Sequence, residues 1–272
     1  MFLIDGLIGL FTYLIVYFLL RMVSVKKIVA VIVAVIAVVA AIMLSEMFSR
    51  PIYMQWRYEE HLKAKYPLIN FAAVYTPQEF AEFMDKVHEN IKSIKDPDQE
   101  INYQSELLST MLLKYGPHAS DESLFHYLQA SVDYDKKLIL IDPVYVLYHE
   151  FPEKFENQKM DFSKLDKEEY LKQTFSAVEA VVKSGTEQPR ALPTDDEFKK
   201  VMMMFRDIVE TVSQKYGKEL VIATLQNPTD KSLDKLTSAN IVIAFFEAVI
   251  AKGQADASLF MRVTLELNRM QE

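Results

Sequence analysis

An all-α fold is what this sequence predicts, laid out as an apolar anchor over residues 1–44, an interfacial connector over 45–67 and a multi-helix domain over 68–272. Three observations predict it. Two long apolar runs crowd the first 44 residues, apolar side chains beyond residue 68 recur at spacings of three and four, and only 6 glycines are present.

Phe2 to Leu20 is apolar except for Asp5, Gly6, Gly9 and Thr12, and Ile28 to Leu44 is 17 residues without a charge. As helices of about 2–20 and 28–44 they rise roughly 25–28 Å, close to the ~30 Å hydrocarbon thickness of a bilayer. A buried core helix usually keeps a polar stripe, so both runs are expected to enter a membrane, as a hairpin or with the second alone as anchor. Asp5 lies within a turn of the amino terminus and can reach headgroups. Ala30, Ala34, Ala37 and Ala41 line one face of the second run and suit either close helix pairing or simple filling.

Between the runs Arg21, Lys26 and Lys27 stand without an acid. Basic loops stay on the cytoplasmic side, so this loop orients the chain with its main domain facing the periplasm or exterior of an inner membrane. A start at Met22 would give the second run the look of a signal sequence, with Val39-Ala40-Ala41 as a cleavage site and the same topology. After the anchor, Pro51 should kink or restart the helix. Tyr53, Trp56 and Arg57 mix aromatic and basic character in the way that suits a membrane–water interface.

In the domain, Thr76, Pro77 and Glu79 make a helix start with a capping box, followed by Phe80, Phe83, Met84, Val87, Ile91 and Ile94 on one face. Helices over about 101–115 and 121–137 follow. The stretch from Lys137 to Asp161 reads either as two short strands, at 138–141 and 144–148, or as a helix restarted at Asp142-Pro143, with helix or irregular structure ahead. A helix over about 165–183 stops before Gly185, and Pro189 with Pro193 marks a sub-boundary at 186–193. Thr194 and Glu197 form a second capping box, opening a stripe of Phe198, Val201, Met202, Phe205, Ile208, Val209, Val212 and Tyr216 that Gly217 ends. Helices over about 218–226, 237–252 and 256–270 close the chain. Ile241 to Ala251 is apolar all round except Glu247 and is expected at the domain centre. The two capped helices align at an offset of 118, but convergence on helix rules explains the match better than duplication does.

Chemistry is hard to find. No cysteine is present, which removes disulfides, thiolate metal sites and cysteine nucleophiles. A net charge of −8, or −10 for residues 45–272, argues against nucleic acid as a partner. The histidines at 61, 88, 118, 126 and 149 form no metal pattern: Asp85 and His88 lack the second half of a di-iron set, and His149-Glu150 lacks a second histidine. Glycines are too few for a serine elbow or a phosphate loop. No catalytic residue, metal or cofactor is expected. Met202-Met203-Met204 must send at least one thioether off the main stripe, with core filling the leading account. Tyr145, Tyr148, Phe151 and Phe155 are either a partner contact or the floor of the core.

The expected function is that of an anchored, extracytoplasmic helical scaffold in an envelope complex, with membrane lipid and a protein partner or second copy as partners. The alternatives are a tethered hydrolase or metal-dependent enzyme whose carboxylates meet only in the fold, and a lipid- or small-ligand-binding module.

Overall fold

The structure, a computed structural model, describes residues 12, 14–16, 27–44, 50–90, 97–155 and 164–270. Among these residues no strand occurs, and the regular structure is helical throughout. The chain divides into two compact units, Met1–Pro67 and Leu68–Glu272.

The first unit contains α1 (Lys27–Leu44) and α2 (Arg50–Lys65). Beyond Lys27, α1 carries no charge, and Val33, Val35, Ile36, Val39 and Met43 are exposed on it. Among the described residues no helix is long and apolar enough to cross a membrane. The 18 residues of α1 rise about 27 Å, a few ångström less than the ~30 Å they would have to cover. The expected membrane anchor, whether hairpin or single span, is thus unsupported, and all of the first run but residues 12 and 14–16 lies outside the described residues. Pro51 sits in the first turn of α2, where its missing N–H costs nothing, so it opens the helix without kinking it.

The second unit is built from α3 (Pro67–Tyr75, the proline belonging to the first unit), α4 (Pro77–Asn90), α5 (Pro97–Tyr115), α6 (Asp121–Ile141), α7 (Pro143–Glu150), α8 (Lys167–Glu187), α9 (Asp195–Tyr216), α10 (Lys218–Gln226), α11 (Lys235–Ile250) and α12 (Gln254–Arg269). Short 3-10 turns occupy Gly116–His118 and Pro152–Phe155. Helix α6 is central and packs against α7, α8, α11 and α12. Its Leu124, Leu128, Val132 and Leu138 are buried and recur at helical spacing. Helix α11 buries Ile241, Val242, Ile243, Phe245 and Val249, as its all-round apolar sequence requires. Glu247 stays at the surface, 2.8 Å from Lys136.

The two expected capping boxes come out differently. At α9 the box forms: Thr194 N–H donates to Glu197 Oε2 at 2.7 Å, and Thr194 Oγ1 accepts from the Glu197 backbone. At α4 Thr76 is buried and its hydroxyl donates to the Ala72 carbonyl and the Met111 sulfur. Glu79 turns away from it to Lys114 and to the Tyr115 hydroxyl, at 3.0 Å. A buried carboxylate is better served by an ammonium and a phenol than by one backbone amide. Burial and then Glu79 push the Tyr115 hydroxyl up to about 12.

Gly185 does not end α8, which runs on to Glu187. A Cβ at Gly185 would collide with the Tyr115 carbonyl, so the glycine marks the point where α8 crosses the end of α5. On α9 the buried residues are Val201, Met204, Ile208 and Val212, while Met202 and Met203 are more than half exposed. Core filling therefore holds for Met204 alone, and Met202 leaves the stripe assigned to it.

Candidate functional site

Helix α6 and the following α7 bring three polar side chains together. Ser120 caps α6 with its hydroxyl on the Ser123 N–H, and the helix continues through Leu138 to Ile141, where strand pairing was the competing expectation. Asp142 is extended (φ −158°) and accepts from the Val144 N–H at 3.0 Å, so Asp142-Pro143 restarts the chain as α7. This short helix packs back on α6. Its last two residues, His149 and Glu150, then meet Asp135, one turn beyond Ser131 on α6.

His149 Nδ1 donates to Asp135 Oδ1 at 2.8 Å and lies 3.3 Å from Glu150 Oε1. Ser131 Oγ donates to the same Glu150 oxygen at 2.8 Å. The Tyr134 ring stands edge-on to the imidazole with centroids 5.6 Å apart. Asp135 is fully buried, and its second oxygen, Oδ2, has no hydrogen-bond partner among the described residues.

The electrostatics follow from burying two acids beside one base. Desolvation and then the Glu150 charge push Asp135 far up from the usual carboxylate range, against the pull of His149. Desolvation opposes the imidazolium, but Asp135 and Glu150 outweigh it and raise His149 to about 10. Glu150 is lowered in spite of its burial, because His149 and Ser131 hold its charged form. Burial and then the charges of Glu150 and Asp135 raise the Tyr127 hydroxyl as well. The cluster thus buries two acids beside one base, with Asp135 the acid pushed toward its protonated form and Glu150 the one held toward its charged form. Asp135, His149 and Glu150 each offer a ligand atom within 4.8 Å of the others, so these residues can hold a metal ion.

No protein-family model, curated protein or solved structure matches the chain. The chemistry of its own residues therefore carries the functional reading.

Of the residues singled out from sequence, Arg21 and Lys26 lie outside the described residues, and Lys27 opens α1 with its side chain outside them. Tyr53 is in α2 with an undescribed side chain, while Trp56 and Arg57 are exposed there. An open depression in the first unit is lined by Arg57, Tyr58, Glu60 and His61. Tyr145 and Phe155 are buried, and Tyr148 and Phe151 pack partly buried on the same core, so only the latter two keep surface for a partner. The Tyr148 and Phe155 rings meet at 6.0 Å. Asp85 is exposed, and the His88 side chain is outside the described residues.

Sequence reasoning noticed His149-Glu150 only as a broken motif and missed Asp135. The available signal was the spacing Leu124, Leu128, Ser131, Asp135, Leu138, in which a carboxylate and a hydroxyl occupy two positions of an otherwise apolar helix face.

A second ionic group, in which only Arg262 is buried, is a structural clamp. Asp121 pairs with Arg190 and, at 2.8 Å, with Arg262, which also donates to the Ala119 carbonyl. His118 and Arg190 exchange backbone and ring contacts at 2.8 Å, pinning the connector after α8 to the turn before α6.

Proposed function

We propose that the chain is a membrane-anchored helical scaffold, held at a bilayer by residues 1–44 and presenting its helical body on the extracytoplasmic side to a protein partner. The observation that carries this reading is α1: a helix without charge beyond Lys27, with Val33, Val35, Ile36, Val39 and Met43 exposed. Full burial of such a side chain is worth about 1.5–3 kcal/mol, and these are roughly half exposed, so lipid would supply about half of that for each. The shortfall of α1 against the bilayer is a few ångström, and thinning of the bilayer accommodates that at a fraction of a kcal/mol per ångström. Arg21, Lys26 and Lys27 supply the orienting charge, and the exposed Trp56 and Arg57 suit the opposite interface.

The interaction role draws on α9, where Met202, Met203 and Phe205 are exposed side by side in sequence. Flexible thioethers beside an aromatic ring adapt to a partner surface. Protease added to sealed membranes with the extracytoplasmic face outward tests the orientation: the reading requires digestion of residues beyond 67, and protection of them contradicts it. Photo-crosslinking from position 203 tests the partner surface, and the reading requires a discrete adduct that Met202→Lys removes.

A further inference from the structure

The geometry points to a binding site for one first-row divalent transition-metal ion, such as Zn(II), between α6 and α7, with Asp135, His149 and Glu150 as its protein ligands. An imidazole nitrogen and carboxylate oxygens bind such an ion at about 2.0–2.2 Å, which puts neighbouring ligand atoms of a tetrahedral site roughly 3.3 Å apart. His149 Nδ1 already stands 2.8 Å from Asp135 Oδ1 and 3.3 Å from Glu150 Oε1, so only small side-chain shifts admit the ion. An independent observation also points to a ligand: Asp135 is fully buried, yet its Oδ2 has no hydrogen-bond partner among the described residues. A buried carboxylate oxygen without a partner is costly, and a cation would satisfy it.

Charge balance agrees, because two carboxylates, one neutral imidazole and one dication sum to zero in a site with little water to screen a residue of charge. The donor set of one nitrogen and two or more oxygens suits zinc, iron, cobalt or manganese, and no thiolate is present to favour softer ions. Ser131, donating to Glu150 at 2.8 Å, is the positioning residue that fixes a ligating carboxylate. The His149 and Glu150 side chains are 10% and 13% exposed, so the cluster reaches the protein surface on the side of α7. The inference stands independently of the membrane anchor.

Titration of the full-length, metal-stripped protein in mild detergent with Co(II), followed by visible absorption, tests it. The expected result is one Co(II) per chain with d–d bands, displaced stoichiometrically by Zn(II), and a rise in the thermal midpoint with either ion. Asp135→Asn, which keeps the shape of the carboxyl group, should abolish the bands, and His149→Gln should do the same. Ser131→Ala should weaken binding about 10–100-fold. Absence of bands with folded wild-type protein overturns the inference even if a variant fails to fold. Unchanged affinity in folded Asp135→Asn overturns it too, by placing the ion elsewhere.

Discussion

Removing the imidazole from the buried cluster should be expensive, whereas neutralising Asp135 should not. In His149→Ala, Glu150 and Asp135 are left buried together without their shared donor. Breaking a buried ion pair by deleting one partner costs about 3–5 kcal/mol, and the lost edge-on contact with Tyr134, now at 5.6 Å, adds about 0.5–1.5 kcal/mol. Protonation of Glu150 returns part of this, so a net loss of about 3–5 kcal/mol is expected at neutral pH. Asp135→Asn is the contrasting case. Its amide oxygen can accept from His149 Nδ1 as the carboxyl oxygen does, and the substitution adds no charge to the cluster, so the loss should stay below about 1 kcal/mol. Urea unfolding of both variants and wild type, read by far-ultraviolet circular dichroism in metal-free buffer, measures the difference. A loss in Asp135→Asn as large as that in His149→Ala would contradict the upward shift of Asp135.

Three further outcomes are expected from the same kind of measurement. Gly185→Ala should destabilise by roughly 1–2 kcal/mol, because collision with the Tyr115 carbonyl outweighs the helix-propensity gain of about 1 kcal/mol; a more stable variant would contradict the close approach of α8 to α5. Thr194→Ala should cost about 1 kcal/mol through loss of the α9 capping box, seen as a lower urea midpoint with an unchanged slope. Burial alone would raise Asp121, but Arg190 and Arg262 outweigh it and hold its carboxyl below 3.8, its ordinary value. A lowered folded value stabilises above the unfolded one and is lost in acid, so Asp121→Asn should be weaker than wild type above about pH 4, with the gap closing as the pH falls further. A gap independent of pH would deny the carboxylate its role in the clamp.

The sequence reveals helix starts and stops well wherever the cause is local. Asp142-Pro143, Thr194 with Glu197, and Gly217 each act through neighbouring backbone, and each does what its residue type dictates. Thr76 with Glu79 carries the same signature as Thr194 with Glu197, but Lys114 and Tyr115, over thirty residues away, take the glutamate. Gly185 looks like a stop because its true reason, the Tyr115 carbonyl, is equally remote in sequence. Met202 and Met204 sit on a helix whose neighbours decide which of the two faces inward, and composition cannot separate them. The Asp135–His149–Glu150 cluster was half legible: the polar interruption of the α6 face is visible in the residues, but its meeting with α7 depends on the turn at Asp142.

Membrane attachment through residues 1–44 is the central claim, and alkaline carbonate extraction of membranes from cells producing the full-length chain tests it most directly. Retention of the intact chain in the membrane pellet, with release of a chain lacking residues 1–44, is the predicted result. Recovery of the intact, unprocessed chain in the carbonate supernatant would contradict it.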